Sequence, residues 1–177
     1  MMLFADIAQM VQEKFGKQVL ATQSSALDPY LVLEVGGWPS IALWLRDDPR
    51  LQMDILNCIS FVDYLETEPS KVAKAGFEPH VEVVYHLSSF VHRHRLVIKL
   101  LLPRWKGNVP GELPEVPSVT SVWPAANWHE REAFDMGGVR FLGHPELQRI
   151  LMAEDWVGHP LRKDYEYPLE YQGIRCR

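Results

Sequence analysis

Cysteine is nearly missing from this sequence: Cys58 and Cys176 stand far apart, and neither has a second thiol near enough to form a zinc knuckle or an iron–sulfur loop. Such sparse usage suits a reducing compartment. A basic excess is missing too. With 18 Lys and Arg against 23 Asp and Glu, the formal charge is -5, the wrong sign for displacing counterions from phosphates, so no nucleic acid is expected as a partner. The most apolar stretch, residues 96–102, is interrupted by Lys99 and is far short of the ~20 residues that cross a bilayer as a helix. Any membrane contact is therefore expected to run through other chains. The opening MMLFADIAQMVQEKFGK has neither the basic n-region nor the cleavage site of a secretory signal and reads as an amphipathic helix. GxGxxG, Walker and GxSxG patterns are absent, which removes the usual support for nucleotide binding or serine chemistry.

What remains is ordinary globular material. The 177 residues are 47% hydrophobic, enough for one core plus an appendage. Ile7, Met10, Val11 and Phe15 repeat at helical spacing over residues 3–16, and Gly16 stops the helix. Residues 19–27 and 30–35 read as strands around the Asp28-Pro29 turn; Pro39 opens a short helix over 40–46, and Asp47-Asp48-Pro49 breaks it. Residues 51–65 read as a strand with a bend and 66–76 as a polar, helix-like insertion. The clearest hairpin pairs residues 81–90 with 95–102 through Val91, His92, Arg93 and His94. Strands mixed with helices, without regular alternation, predict an α+β fold: a mixed or antiparallel sheet with helices on one side, then an irregular, extended C-terminal segment. Pro103, Pro110, Pro114 and Pro117 break regular structure, which places a boundary near residue 120, between an α+β domain (1–120) and a signature helix with a docking segment (121–177).

Two clusters invite a metal reading. His129, Glu130, Glu132 and Asp135 share one helix, but a zincin needs a second His four residues after the first, and position 133 is Ala. His92 and His94 sit at the hairpin tip with Arg93 and Arg95 and no nearby carboxylate or Cys, so the tip reads as a basic surface for an acidic or anionic partner. On a helix over 124–136, steps of 100° put Ala126, Glu130, Ala133 and Phe134 on one face. Glu130 is then buried and calls for a structural ion pair with Arg140, Arg149 or Arg162. Trp128, Glu132 and Asp135 lie opposite, facing solvent or a partner. The tail holds Trp156, Tyr165, Tyr167, Tyr171, Arg162 and Arg175 among Gly158, Pro160, Pro168 and Gly173. These side chains either cover the chain's own core or dock on another chain.

From Trp123 the chain reads WPAANWHEREAFDMGGVRFLGHPELQRILMAEDWVGHPLRKDYEYP. The order Glu130-Arg131-Glu132, Phe134-Asp135, Gly138, Phe141, Gly143-His144-Pro145, Leu147, Arg149, Asp155-Trp156, Gly158 and Pro160-Leu161-Arg162-Lys163-Asp164 resembles the signature of the C-subunit of respiratory complex I. Gly137 departs from it, standing where a large apolar side chain is expected. The resemblance implies a non-catalytic, hydrophilic subunit of a proton-translocating NADH-quinone oxidoreductase, peripheral on the cytoplasmic face of the bacterial inner membrane. It implies no cofactor in this chain, with FMN, iron–sulfur clusters and quinone held by other subunits. It also implies docking beside the quinone-site D-subunit and the iron–sulfur B- and I-subunits next to it, with Trp156, Pro160, Leu161, Arg162, Lys163, Asp164, Tyr165, Tyr167 and Tyr171 as the contact residues. An equivalent subunit of a membrane-bound hydrogenase or of a ferredoxin- or coenzyme-linked quinone reductase is the alternative.

Overall fold

The computed structural model describes residues 2–176. Five strands make one sheet in the order β1-β2-β5-β4-β3: β1 Val19–Gln23, β2 Tyr30–Leu33, β3 Ile55–Tyr64, β4 His80–Ser88 and β5 Arg95–Pro103. All neighbours are antiparallel except β2 and β5, which run parallel with Tyr30 opposite Val97 and Leu33 opposite Leu100. Alternation along the strands sorts the side chains between the two faces. Leu31, Leu33, Val81, Val83, Tyr85, Leu96, Ile98 and Leu100 are buried on one of them. Helices α1 (Phe4–Phe15) and α2 (Trp38–Asp47) add Ile7, Val11, Trp38, Ile41 and Leu45 to the same core. The other face, with Tyr30, Val62, Tyr64, His86, Val97 and Lys99, lines an open groove. This is the expected α+β sheet with helices on one side.

Local chemistry moves several boundaries. Helix α1 starts where the Asp6 carboxylate accepts the Leu3 N–H at 3.2 Å. Strand β1 ends at Gln23, well before residue 27, because the Gln23 side-chain oxygen accepts the Ser25 hydroxyl at 2.8 Å and closes a turn. The strand expected from residue 51 begins only at Ile55: Leu51 and Gln52 both donate to the Asp48 carbonyl at 2.9 Å, and Gln52 takes a left-handed φ of 42°. The expected bend is a register irregularity between Leu56 and Cys58. The insertion holds one helical turn, α3 (Pro69–Val72).

At the hairpin tip Arg93 and Arg95 are exposed, but the two histidines are engaged by the chain itself. His92 Nε2 donates to the Pro49 carbonyl at 2.9 Å, and His94 Nε2 donates to the Leu51 carbonyl at 2.7 Å with its ring buried. The two rings fasten the tip to the preceding loop. The proline-rich stretch likewise holds a short strand, β6 (Glu115–Pro117). It pairs in parallel with β7 (Arg140–Leu142), Glu115 lying opposite Arg140. Val116, Val119, Val122, Trp123, Ala126, Val139 and Phe141 extend the core formed by the sheet and the first two helices.

Candidate functional site

The signature segment is fixed first by Trp123, whose indole N–H donates to the Met53 carbonyl at 2.8 Å in the core. Helix α4 (Ala126–Glu132) follows and runs into a π-helical turn, Ala133–Gly137. Glu130 is fully buried, as its place on the helix requires. Its partners are not arginines. One carboxylate oxygen accepts the Ser118 hydroxyl at 2.6 Å and the other the Val119 N–H at 2.8 Å. Burial pushes its pKa up to about 7, against the opposing pull of those two hydrogen bonds. The site therefore meets the cost of a buried carboxylate by favouring its neutral form rather than by importing a counter-charge. The expected ion pair fails for all three candidates. Arg140 is exposed, and its backbone N–H donates to the Pro114 carbonyl at 2.9 Å. Arg149 pairs with Asp135 at 2.6 Å, and Arg162 donates to backbone carbonyls.

Asp135 also departs from the expected arrangement. In a turn closed by i→i+5 bonds each rotation takes more residues, so Asp135 comes round into the interior instead of lying opposite Glu130. There one carboxylate oxygen accepts three successive backbone N–H groups, from Ile150, Leu151 and Met152, at 2.9, 2.7 and 2.8 Å. Burial alone would raise its pKa; those three donors and Arg149 outweigh it and hold the carboxyl below its ordinary value. Arg149 extends the anchor by donating to the Trp156 and Gly158 carbonyls at 2.9 and 3.0 Å. Gly137 has its own reason: a Cβ there would run into the Phe61 ring. The large apolar group expected at that point is supplied by β3.

Beyond residue 155 the candidate contact residues differ in exposure. Leu161, Lys163 and Tyr167 are exposed; Trp156, Pro160, Tyr165 and Tyr171 are half-buried. Trp156 leans on Tyr171 at 4.8 Å between ring centroids, and Tyr165 meets Tyr167 edge-on at 5.0 Å. Arg162 is buried instead. It donates to the carbonyls of Gly137, Gly138 and Arg104 at 2.7, 3.0 and 3.0 Å, and its guanidinium lies 4.6 Å from the Trp105 ring centroid. Burial lowers its pKa to about 10, which leaves it charged at neutral pH. Asp164 is gripped by Arg104 at 2.7 and 3.1 Å. The segment also pairs with itself. Strands β8 (Glu170–Tyr171) and β9 (Ile174–Arg175) form a small hairpin, because Gln172 and Gly173 both take positive φ, 48° and 78°, as a two-residue turn requires.

Two residues in this arrangement escape sequence reasoning. Arg104 follows Pro103 in the proline-broken stretch, where no regular element points to it. Asp63 lies at the end of β3, and its Oδ1 and Oδ2 accept Arg104 Nε and Nη2 at 2.7 and 2.8 Å. A signal for Asp63 is present: it shares the strand parity of Ile59 and Phe61, which turns it inward and demands a cation. Among the described residues, no group of three or more His, Cys, Asp and Glu is placed to hold a metal ion.

This arrangement has relatives. A chain of the membrane-bound sulfane sulfur reductase, an archaeal respiratory membrane complex, shares the fold with a TM-score of 0.57 over 92% of this chain and 85% of that one, at 21% identity. In sequence, the NADH-quinone oxidoreductase C-subunit of Chlorobium phaeobacteroides is 44% identical over 94% of this chain and 90% of its own. The protein of the same name from Herpetosiphon aurantiacus is 39% identical over 96% and 87%. The one from Chloroherpeton thalassium is 38% identical over 94% of this chain, which spans 62% of that relative's length. The family model described as "Respiratory-chain NADH dehydrogenase, 30 Kd subunit" matches residues 31–171, from the second strand through the anchors of Glu130, Asp135 and Arg162. The chain belongs to that family, the C-subunit family of NADH-quinone oxidoreductases.

Proposed function

We propose that this chain is an assembly scaffold in the peripheral arm of a proton-translocating NADH-quinone oxidoreductase. In this reading NADH, FMN, iron–sulfur clusters and quinone are handled by other chains, and this one docks beside the quinone-site D-subunit, with the B- and I-subunits as neighbours, on the cytoplasmic side of the membrane. The observation that carries the reading is the family membership, joined to a C-terminal segment that is anchored at its base yet exposes Val157, Leu161, Tyr167, Leu169 and Ile174 to solvent. Apolar and aromatic side chains of this kind form the cores of protein interfaces. No helix among the described residues is long and apolar enough to cross a membrane, which agrees with attachment through partners. The likeness to a chain of an archaeal membrane-bound reductase favours one second reading, an equivalent subunit in a related respiratory complex with another electron donor. Co-purifying neighbours decide between the two: flavin- and NADH-binding chains support the first, hydrogenase-like chains the second.

The test is truncation after Asp155. The sheet and helix α4 keep their core, because the buried apolar cluster lies before that point. The truncated protein should fold, fail to enter the complex, and lower NADH-quinone turnover in membranes in proportion to the complex lost. A truncated chain that assembles normally and supports full turnover would end the docking reading.

A further inference from the structure

The C-terminal segment is tied to the sheet by a knot of four charges. Asp63, Arg104, Arg162 and Asp164 come from the end of β3, the residue after β5, and the segment itself. Arg104 uses both edges of its guanidinium: Nε and Nη2 hold Asp63 at 2.7 and 2.8 Å, while Nη1 and Nη2 hold Asp164 at 3.1 and 2.7 Å. Asp63, whose side chain has no exposure, also accepts the Lys163 N–H at 2.9 Å. Arg162 returns the grip by donating to the Arg104 carbonyl at 3.0 Å. Two positive and two negative charges thus balance within one cluster, and every guanidinium nitrogen of Arg104 and Arg162 donates a hydrogen bond.

The knot spans strands that are not neighbours. In the order β5-β4-β3, Arg104 and Asp63 flank the end of β4 from opposite sides. The segment laid over that end has Arg162 turned in and Asp164 held by Arg104, with Leu161 and Lys163 turned out. Its backbone is fixed as well: Leu161 N–H donates to the Met136 carbonyl at 2.8 Å and Tyr165 N–H to the Arg162 carbonyl at 3.1 Å. Opposite charges at 162 and 164 would suit charge-guided docking, but Arg162 is buried and Asp164, although exposed, is already paired with Arg104.

We infer that the docking segment is preformed in the free chain, that Arg104 is its positioning residue, and that the partner meets the outward row around Leu161, Lys163 and Tyr167 as a rigid surface. The segment does not fold upon binding. This rests on the proposed docking function for its partner, but the order of the segment stands apart from it. A preformed surface avoids the ordering cost that a disordered tail would meet at association. The partner surface it fits offers apolar area to Leu161 and Tyr167 and an acidic group to the exposed Lys163 between them.

The experiment uses the full chain, as wild type, Asp164→Asn and Arg104→Lys. Asp164→Asn loosens only the segment's side of the knot, since Arg104 keeps Asp63; Arg104→Lys keeps the charge but loses the fork. Hydrogen exchange on the isolated protein should show the amides of 161–165 protected in wild type and exchanging at least tenfold faster in both variants, with β4 and β5 unchanged. In membranes lacking the chain, the concentration needed for half-maximal incorporation should rise about tenfold, and excess protein should restore full assembly. Unprotected amides in the wild type, or unchanged protection in Asp164→Asn, would overturn the proposal, and so would faster exchange with unaltered incorporation. If the truncated chain assembles while the wild-type amides are protected, the docking function fails and the preformed segment remains.

Discussion

Replacing Glu130 with Gln gives a direct measure of what its burial costs. The carboxyl is fully buried, receives only the Ser118 hydroxyl and the Val119 N–H, and has its pKa raised to about 7 from an ordinary 4.5. Between those two values the folded chain holds a proton that the unfolded chain has released, so stability falls as pH rises through this window and levels off above it. At about 1.4 kcal/mol per pKa unit the loss comes to about 3 kcal/mol. Glutamine has nearly the same shape, can still accept the Val119 N–H, and carries no charge at any pH. Urea denaturation at several pH values should find the variant about as stable as the wild type near pH 4.5 and more stable above pH 7, by up to about 3 kcal/mol. Glu130→Ala is the control. Ser118 keeps Thr120 as a neighbour at 3.0 Å, but the buried Val119 N–H is orphaned, at a cost of about 1–3 kcal/mol that does not depend on pH. A stability difference between wild type and Glu130→Gln that stays constant from about pH 5 to 8 would refute the reasoning and restore a paired, permanently ionised carboxylate.

Two shorter predictions follow from the same segment and from the hairpin. Gly137→Ala should lose about 1–3 kcal/mol, because the new methyl group meets the Phe61 ring in a packed site; thermal unfolding checks it, and an unchanged midpoint would mean that Phe61 moves freely. With both Nε2 atoms of His92 and His94 engaged by backbone carbonyls, purified protein should carry no stoichiometric zinc or iron by elemental analysis; a firmly bound ion lost on replacing either histidine would contradict this.

Much of the fold is legible in the sequence because its cues are local. Apolar and β-branched runs on either side of a short turn mark β4 and β5, a proline opens α2 at its first turn, and 100° steps place Glu130 in the core. The departures share a cause. Asp135 depends on a π-helical turn, which no period of 3.6 residues anticipates. Gly137 depends on Phe61, and Asp164 on Arg104, each supplied by a distant element. Glu130 lies where the helix steps put it, but its partners differ from those expected. A carboxylate can meet burial by gaining a counter-charge or by becoming neutral, and composition does not distinguish these routes. The tail's aromatic residues are plain in the sequence; which of its charges are internal is not.

The parallel pairing of β2 with β5 carries a kinetic meaning. Every other contact within the sheet joins strands adjacent in sequence: β1 with β2, β3 with β4, and β4 with β5. The sheet therefore consists of a two-stranded ribbon and a three-stranded meander, each able to zip from its own turns. Only the seam that sets Tyr30 beside Val97 and Leu33 beside Leu100 joins them into one sheet. The entropy of closing the longest loop in the sheet falls on those four residue pairs. Until they meet, the two pieces have no common surface for α1 and α2 to cover.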